Sequence, residues 1–320
     1  MKVLFLGSGA FGLPTLQALA EHHQVVGVVT QPDRPAGRGK DLTPTPVGEW
    51  AAQHLAGVPL FKPENINAPG QTAAARALDA QAWVVIAFGQ KLGPALLDGV
   101  FAINLHASLL PRWRGAAPIN AAILAGDAET GNSVITLADR MDAGLILAQS
   151  RRPIDPASTA GELHDLLAAD GPPLVEQVLA AHAAGTLQSI TQDESLVTKA
   201  KKLSRADAAL DFNGSVDEVR RRIHGLTPWP GVTIEIHGRP LKLLRVRSVP
   251  GSPAHHSGLL VDPATGVVSC GSGTALQLLS VQPPGGRAMD WGDYLRGGGR
   301  TLAAGAVCSS PLPPGPPTAK

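Results

Sequence analysis

Residues Val25–Thr30 read VVGVVT. The run is apolar or small without alternation, so both faces of the strand it forms must be buried. A sheet buried on both faces is covered by helices, and the flanking sequence supplies them. Upstream, Val3–Leu6 is another apolar strand, and Pro14–His22 follows as a helix, with Leu13, Leu16 and Leu19 at helical spacing. Downstream, Thr72–Leu78 reads as helix, while Ala82–Phe88 (AWVVIAF) and Phe101–Leu105 read as further strands. This alternation predicts an α/β domain on a mostly parallel sheet. Ligands on such sheets bind outside the carboxyl ends of the strands. The residues just after each apolar run therefore carry the search for chemistry.

The second half has a different texture. Thr159–Leu167 and Pro173–Ala184 read as two helices, and Thr186–Leu203, which contains Lys199-Ala200-Lys201-Lys202, lacks periodicity and reads as a linker. A helix beginning at Val216 (VDEVRRRIHGL) must end at Pro228-Trp229-Pro230-Gly231. Short strands follow at Val232–Ile236, Leu241–Val249, Gly258–Val261, Val267–Ser269 and Ala275–Val281, separated by Gly and Pro. That pattern suggests a small β-barrel. The tail SSPLPPGPPTAK is Pro-rich and expected to be disordered.

The chain has 320 residues, 44% hydrophobic and 17% charged, a globular composition with room for two cores. No apolar run reaches the ~18 residues needed to span a bilayer. The apolar run after Lys2 stops at Gly7, short of the roughly 7–15 residues of a signal-peptide core. A cytoplasmic chain is expected. Cys270 and Cys308 form no metal spacing or disulfide framework, and His255-His256 lack acidic or cysteine partners at ligand spacing, so no metal is expected. Residues 1–189 hold 12 Lys and Arg against 16 Asp and Glu, a net of −4, and residues 190–320 hold 15 against 10, a net of +5, which together give the overall +1. A basic second part suits an anionic partner, although two domains of unlike composition would produce the same imbalance.

Three segments carry chemistry. Gly7-Ser8-Gly9-Ala10-Phe11-Gly12 fits G-x-G-x-x-G between the first strand and first helix, but Thr30-Gln31-Pro32 ends the second strand where a ribose-binding acid is expected. The glycines equally suit a tight turn. The loop Gln31–Lys40 (QPDRPAGRGK) sets Arg34, Arg38 and Lys40 among Pro and Gly, a spacing able to grip phosphates from an exposed loop. The stretch Ile103–Gly115 (INLHASLLPRWRG) ends a buried strand with far more polar groups than a core needs. Its Asn104 and His106 are i and i+2 on a strand and leave on one face. Histidine moves protons near neutral pH, and an asparagine amide can hold a developing oxyanion. Asp142 follows the apolar run Val134–Leu137 and could orient the imidazole. Ser108 lacks the glycine pattern of a nucleophile elbow. Such a site suits direct transfer between two bound substrates.

Residues 103–131 (INLHASLLPRWRGAAPINAAILAGDAETG) resemble the signature of folate-dependent formyltransferases. With QPDRPAGRGK, VTKAKKLSRADAALDF and PWPG at 228–231, the resemblance narrows to the methionyl-tRNA formyltransferase family and covers all but the Pro-rich tail. It implies a Rossmann-like formyltransferase domain over residues 1–188, a linker over 189–206, an OB-like tRNA-binding barrel over 207–309 and a disordered tail over 310–320. It implies formyl transfer from 10-formyltetrahydrofolate to the α-amine of methionine on initiator methionyl-tRNA; a monomer is expected. It carries over Asn104, His106 and Asp142 as catalytic, and Phe88, Ser108, Leu109, Leu110 and Pro111 as folate contacts. Arg38 matches the family's key loop cation, and the other loop cations Arg34 and Lys40, with Lys201, Arg220 and Arg245 of the basic second part, are the further expected tRNA contacts. Three positions depart from the family. Gly7-Ser8-Gly9-Ala10-Phe11 replaces a GTPxF-like stretch, Met141-Asp142-Ala143-Gly144-Leu145 replaces LDTGD and loses its second acid, and Phe88 stands where Tyr is common. The rival readings are a formyltransferase acting on a purine precursor or an amino sugar, a formyltetrahydrofolate hydrolase, an NAD-dependent oxidoreductase and a non-enzymatic RNA-binding barrel.

Overall fold

The computed structural model describes residues 1–36, 41–251 and 255–311. Arg38, Lys40 and the tail from 312 onward lie outside the described residues. Two compact units emerge. The first comprises Met1–Arg114, Thr130–Arg152 and His164–Lys199, and the second Gly115–Glu129, Pro153–Leu163 and Ala200–Lys320.

The first unit is built on a seven-stranded sheet, in spatial order Ile146–Pro153, Glu129–Thr136, Ala102–His106, Ala82–Ile86, Lys2–Gly7, Gln24–Val29, Leu60–Phe61. Lys2–Gly7 runs parallel to both its neighbours, and Ala102–His106 runs parallel to Ala82–Ile86. Glu129–Thr136 is antiparallel to Ala102–His106. The sheet is therefore Rossmann-like and mostly parallel, as the unalternating VVGVVT predicts. Val3, Leu4, Phe5 and Leu6 are fully buried, as is the whole of Ala82–Ile86 apart from traces at Trp83 and Val85. Ile146–Pro153 (ILAQSRRP) was not foreseen as a strand. It lies at one end of the strand order, and after the short apolar start Ile146-Leu147-Ala148 it turns polar, so it carries no apolar run of strand length.

The two helices expected around Pro172-Pro173 are one helix, Ala160–Ala183. Proline removes a backbone donor and crowds the preceding turn, which argued for a break. Tertiary packing overrides that cost, since Leu167, Leu174, Val175, Val178 and Leu179 form a buried face on both sides of the prolines. No helix among the described residues is long and apolar enough to cross a membrane.

The second unit holds a closed antiparallel barrel. Arg239–Val249 pairs with Val232–Ile236, which pairs with Ala306–Ser309, then Leu259–Asp262, Val267–Ser269 and Ala275–Gln282. Ala275–Gln282 pairs back onto Arg239–Val249 and closes the ring, an OB-like arrangement that leaves the six strands no free edge. Val232, Ile234, Leu241, Leu243, Leu260, Val268, Leu276 and Leu278 fill the interior, and where two share a strand they stand at alternate positions. Cys270 and Cys308 are buried there, and burial pushes both thiols up to about 12. The helix Val216–Gly225 packs on the same core through Val219 and Ile223. Its capping box joins Ser215 and Glu218.

Candidate functional site

The strand Ala102–His106 ends among the first unit's parallel strands, with Asn104 opposite Val85 and, across the antiparallel pair, opposite Ile135. Its carboxyl end carries Asn104 and His106 on one face, where the topology places ligands. Asn104 is half-buried, and its side chain makes no hydrogen bond among the described residues. An amide donor held at a strand end without an internal partner is available to a bound molecule.

His106 is anchored on one ring nitrogen. Its Nε2 donates to the Trp113 carbonyl at 2.9 Å. A carbonyl only accepts, so the neutral ring carries its hydrogen on Nε2 and presents a lone pair at Nδ1. That Nδ1 lies 3.6 Å from Oδ2 of Asp142, with the two side chains 7% and 13% exposed. The separation is long for a direct hydrogen bond but short enough for strong coupling in a site this enclosed. The residues singled out as a trio thus include a pair already in ion-pair range.

Asp142 sits in the turn between Glu129–Thr136 and Ile146–Pro153, in the left-handed region at φ 54°. Aspartate tolerates that region better than most residues. The base of the turn is fixed by Thr136 N–H to Leu145 O and Leu145 N–H to Thr136 Oγ1, both 2.9 Å. Leu145, standing where the family carries an acid, therefore serves through its backbone, and its side chain is partly exposed. Gly144 is required by contact, because a Cβ there would lie 1.7 Å from the Thr136 carbonyl oxygen.

The turn after His106 is shaped by its own polar groups. Ser108 has no exposed surface, donates to the Arg112 carbonyl at 2.6 Å, and its carbonyl accepts from Ser133 Oγ at 2.6 Å. Leu110 is buried and its N–H donates to Ser133 Oγ at 3.0 Å, while Leu109 and Pro111 are half-buried. Phe88 is buried in the apolar cluster beneath the sheet. Of the five residues expected to touch folate, Leu109 and Pro111 thus offer the most side-chain surface. Trp113 adopts φ 64°, with the Arg112 guanidinium 4.4 Å above its ring, and Gly115 adopts φ 127°.

The cations expected to meet an anionic partner differ in their engagements. Arg34 is exposed and pairs with Glu64 at 2.6 Å, and Lys201 is exposed and pairs with Asp207 at 2.7 Å. Arg220 donates to the Pro156 carbonyl and to Asp217, and is mostly covered. Arg245 donates to the Ala157 carbonyl and to Glu162. Arg222 turns inward onto the Asp207 and Ala209 carbonyls, and burial lowers its pKa. Lys199, Lys202 and Arg205 are exposed, and their side chains have no such partner among the described residues.

Sequence reasoning missed Gln192 and the role of Arg114, both buried close to the Asp142 turn. Gln192 lies in the segment read as a linker, where nothing periodic marks it, and Arg114 carried only its place within an unusually polar strand end.

Comparison with known proteins places these residues in context. Residues 1–179 match the family described as "Formyl transferase", and residues 202–299 match "Formyl transferase, C-terminal domain". A methionyl-tRNA formyltransferase of Pseudomonas syringae pv. syringae is 40% identical over 310 residues, covering 96% of this chain and 98% of that protein. The Methylococcus capsulatus methionyl-tRNA formyltransferase is 40% identical over 299 residues, 92% of this chain and 96% of that one. Among solved structures, WlaRD, a sugar 3N-formyl transferase, superposes with a TM-score of 0.66 at 13% identity, covering 87% of this chain and 97% of its own. HypX from Aquifex aeolicus in complex with tetrahydrofolic acid gives 0.62 at 15% identity, over 93% of this chain and 48% of its own. Likenesses at that identity speak to the fold.

Proposed function

The chain belongs to the methionyl-tRNA formyltransferase family, and from that premise we propose that it moves the formyl group of 10-formyltetrahydrofolate onto the α-amine of initiator methionyl-tRNA. The observation that carries the reading is the strand-end constellation of the Asn104 amide, unbonded among the described residues, and a His106–Asp142 pair at 3.6 Å. The neutral amine attacks the formyl carbon, a C–N bond forms, and the carbonyl electrons move onto oxygen. Asn104 donates to that oxyanion, and loss of such a donor costs about 2.7–4 kcal/mol in comparable sites. His106, if protonated at Nδ1 and balanced by Asp142, would add a second stabilising group. Collapse breaks the bond to the folate nitrogen, which takes up a proton as the amine nitrogen gives one up.

Leu109 and Pro111 offer half-buried apolar surface for the folate beside these polar groups. Phe88, Ser108 and Leu110, all buried, are the further proposed folate contacts. Arg34, Lys201, Arg220 and Arg245, with Arg38 and Lys40, are the proposed tRNA contacts. The test is direct: the chain is incubated with 10-formyltetrahydrofolate and methionyl-tRNA, and formyl-methionine is measured after deacylation. Formylation of the charged tRNA is the expected result. Formylation of an amino sugar alone, or hydrolysis of the folate at the same rate without tRNA, overturns the reading.

A further inference from the structure

The His106–Asp142 pair is one side of a closed ring of contacts. Starting from His106, Nε2 donates to the Trp113 carbonyl at 2.9 Å. Trp113 is followed by Arg114, a guanidinium only 8% exposed, whose Nε donates to Gln192 Oε1 at 2.9 Å. Gln192 is 6% exposed, and its Nε2 donates to the carbonyls of Asp142 and Gly144, both at 2.7 Å. The Asp142 side chain then faces His106 Nδ1 and completes the ring. The amide orientation of Gln192 has one solution. Turned over, its oxygen would face two carbonyl oxygens and its NH2 would face a guanidinium.

The same short segment holds the turn a second way. Glu194 accepts from Arg114 at 2.9 Å and takes Arg140, on the Asp142 turn, through both guanidinium nitrogens at 3.0 and 3.1 Å. The guanidinium of Arg114, and then that of Arg140, holds the Glu194 carboxyl below its ordinary range, so it stays charged while doing so. Burying a glutamine amide and an arginine is costly unless both are fully bonded. Here Arg114 orients Gln192, whose amide holds two carbonyls of one turn, one of them that of Asp142, a residue at positive φ beside the imidazole.

We infer that Gln192, oriented by Arg114, is a positioning residue for the transfer reaction: it sets the distance between the Asp142 carboxylate and His106 by gripping the Asp142 and Gly144 carbonyls. The inference rests on the formyl-transfer reading and deepens it. Gln192 does not touch the reacting atoms in this scheme and acts through Asp142. A misplacement of about 1 Å at such a pair is enough to cost on the order of 100-fold in rate.

The variants are Gln192→Met, which keeps length and bulk without the amide, and Gln192→Glu, which keeps the Arg114 contact but offers no donor to the carbonyls. Both are expected to lose on the order of 10- to 100-fold in kcat, with KM for folate and for tRNA within about two-fold of the parent. In an Asp142→Asn background the same Gln192→Met change should cost less than about two-fold more, because two residues acting as a unit are not additive. Parent-like kcat in Gln192→Met, or losses that simply multiply in the double variant, overturn the inference. Nitrogen NMR of the His106 ring reads the geometry without turnover. Its signals should move in Gln192→Met, and unmoved signals count against the ring whatever the activity. A parent chain that formylates nothing defeats the functional reading instead, and the NMR comparison still decides the ring.

Discussion

At the scale of single residues, the proposed scheme divides the site into groups that would meet substrate and groups that hold them. The Asn104 side chain makes no hydrogen bond among the described residues, whereas His106 is tied on one nitrogen and faces Asp142 with the other. Asn104→Ala should therefore lower kcat by roughly 100- to 1,000-fold with little change in melting temperature, since no folded-state bond is lost. Single-turnover formylation beside a thermal melt checks this, and a large fall in melting temperature with unchanged kcat contradicts it. A different histidine illustrates the opposite case. His224 is buried, accepts from Val246 N–H through Nε2 at 3.1 Å, and is lowered to about 4, by burial first of all. It is neutral in the fold, while the unfolded chain takes up a proton near pH 6.5. The unfolded state thus binds more protons between those values, so stability falls as pH drops from 6.5 towards 4 and levels off below. The contribution is on the order of 3 kcal/mol at full extent. Urea unfolding from pH 7 to 4 should show a shallower loss in His224→Gln than in the parent. Parallel curves would rule this out. The sequence made Asn104, His106 and Asp142 legible because a strand end with that many polar groups has no reason in packing. It left Gln192 invisible, since a glutamine in an aperiodic segment looks the same whether it is solvated or buried against two carbonyls.

At the scale of elements, the turn bearing Asp142 is the part whose conformation decides most. It is closed at its base by Thr136 and Leu145 and gripped at its tip by Gln192. Gly144 lies between the two fixings, and the Thr136 carbonyl occupies the place a side chain would need. Gly144→Ala must therefore push the turn away from its strand and carry Asp142 with it. At least about a tenfold fall in kcat is expected, as for any displacement of an orienting group. The melting temperature should also fall, and an alanine variant with parent activity would mean that the turn can relax without moving Asp142. The strands of both units were readable because burial on two faces, or alternation around a barrel, leaves a plain apolar pattern. Ile146–Pro153 and the single helix through Pro172-Pro173 were not, because in each the decisive term is tertiary. One is paired by backbone bonds that polar side chains do not advertise, and the other is held by a buried face that outweighs local proline chemistry.

At the scale of the whole molecule, charge asymmetry is the property with consequences for a polyanionic substrate. The excess of cations lies in residues 190–320, but many of those cations are already spent on neighbours. Arg220, Arg222 and Arg245 each donate to backbone carbonyls, so removing them should cost stability as well as affinity. Among the described residues Lys199, Lys202 and Arg205 are exposed without such ties, and Lys201 reaches a mostly covered Asp207 with an exposed ammonium. If the chain grips tRNA by its phosphates, binding must weaken steeply with salt, and each phosphate neutralised contributes a slope of about −0.9 in the log–log plot for duplex. Replacing Lys201 and Lys202 together with alanine should then make the slope shallower by up to about two, with no change in thermal stability. Arg220→Ala should lower the melting temperature and alter the slope less, because its guanidinium is committed to Pro156 and Asp217. Filter binding or fluorescence titration of charged initiator tRNA between low and moderate salt measures both. An affinity indifferent to salt would count against any phosphate grip, whereas slopes unchanged by the lysine pair and reduced by Arg220→Ala would move the phosphate contacts away from Lys201 and Lys202 and onto Arg220.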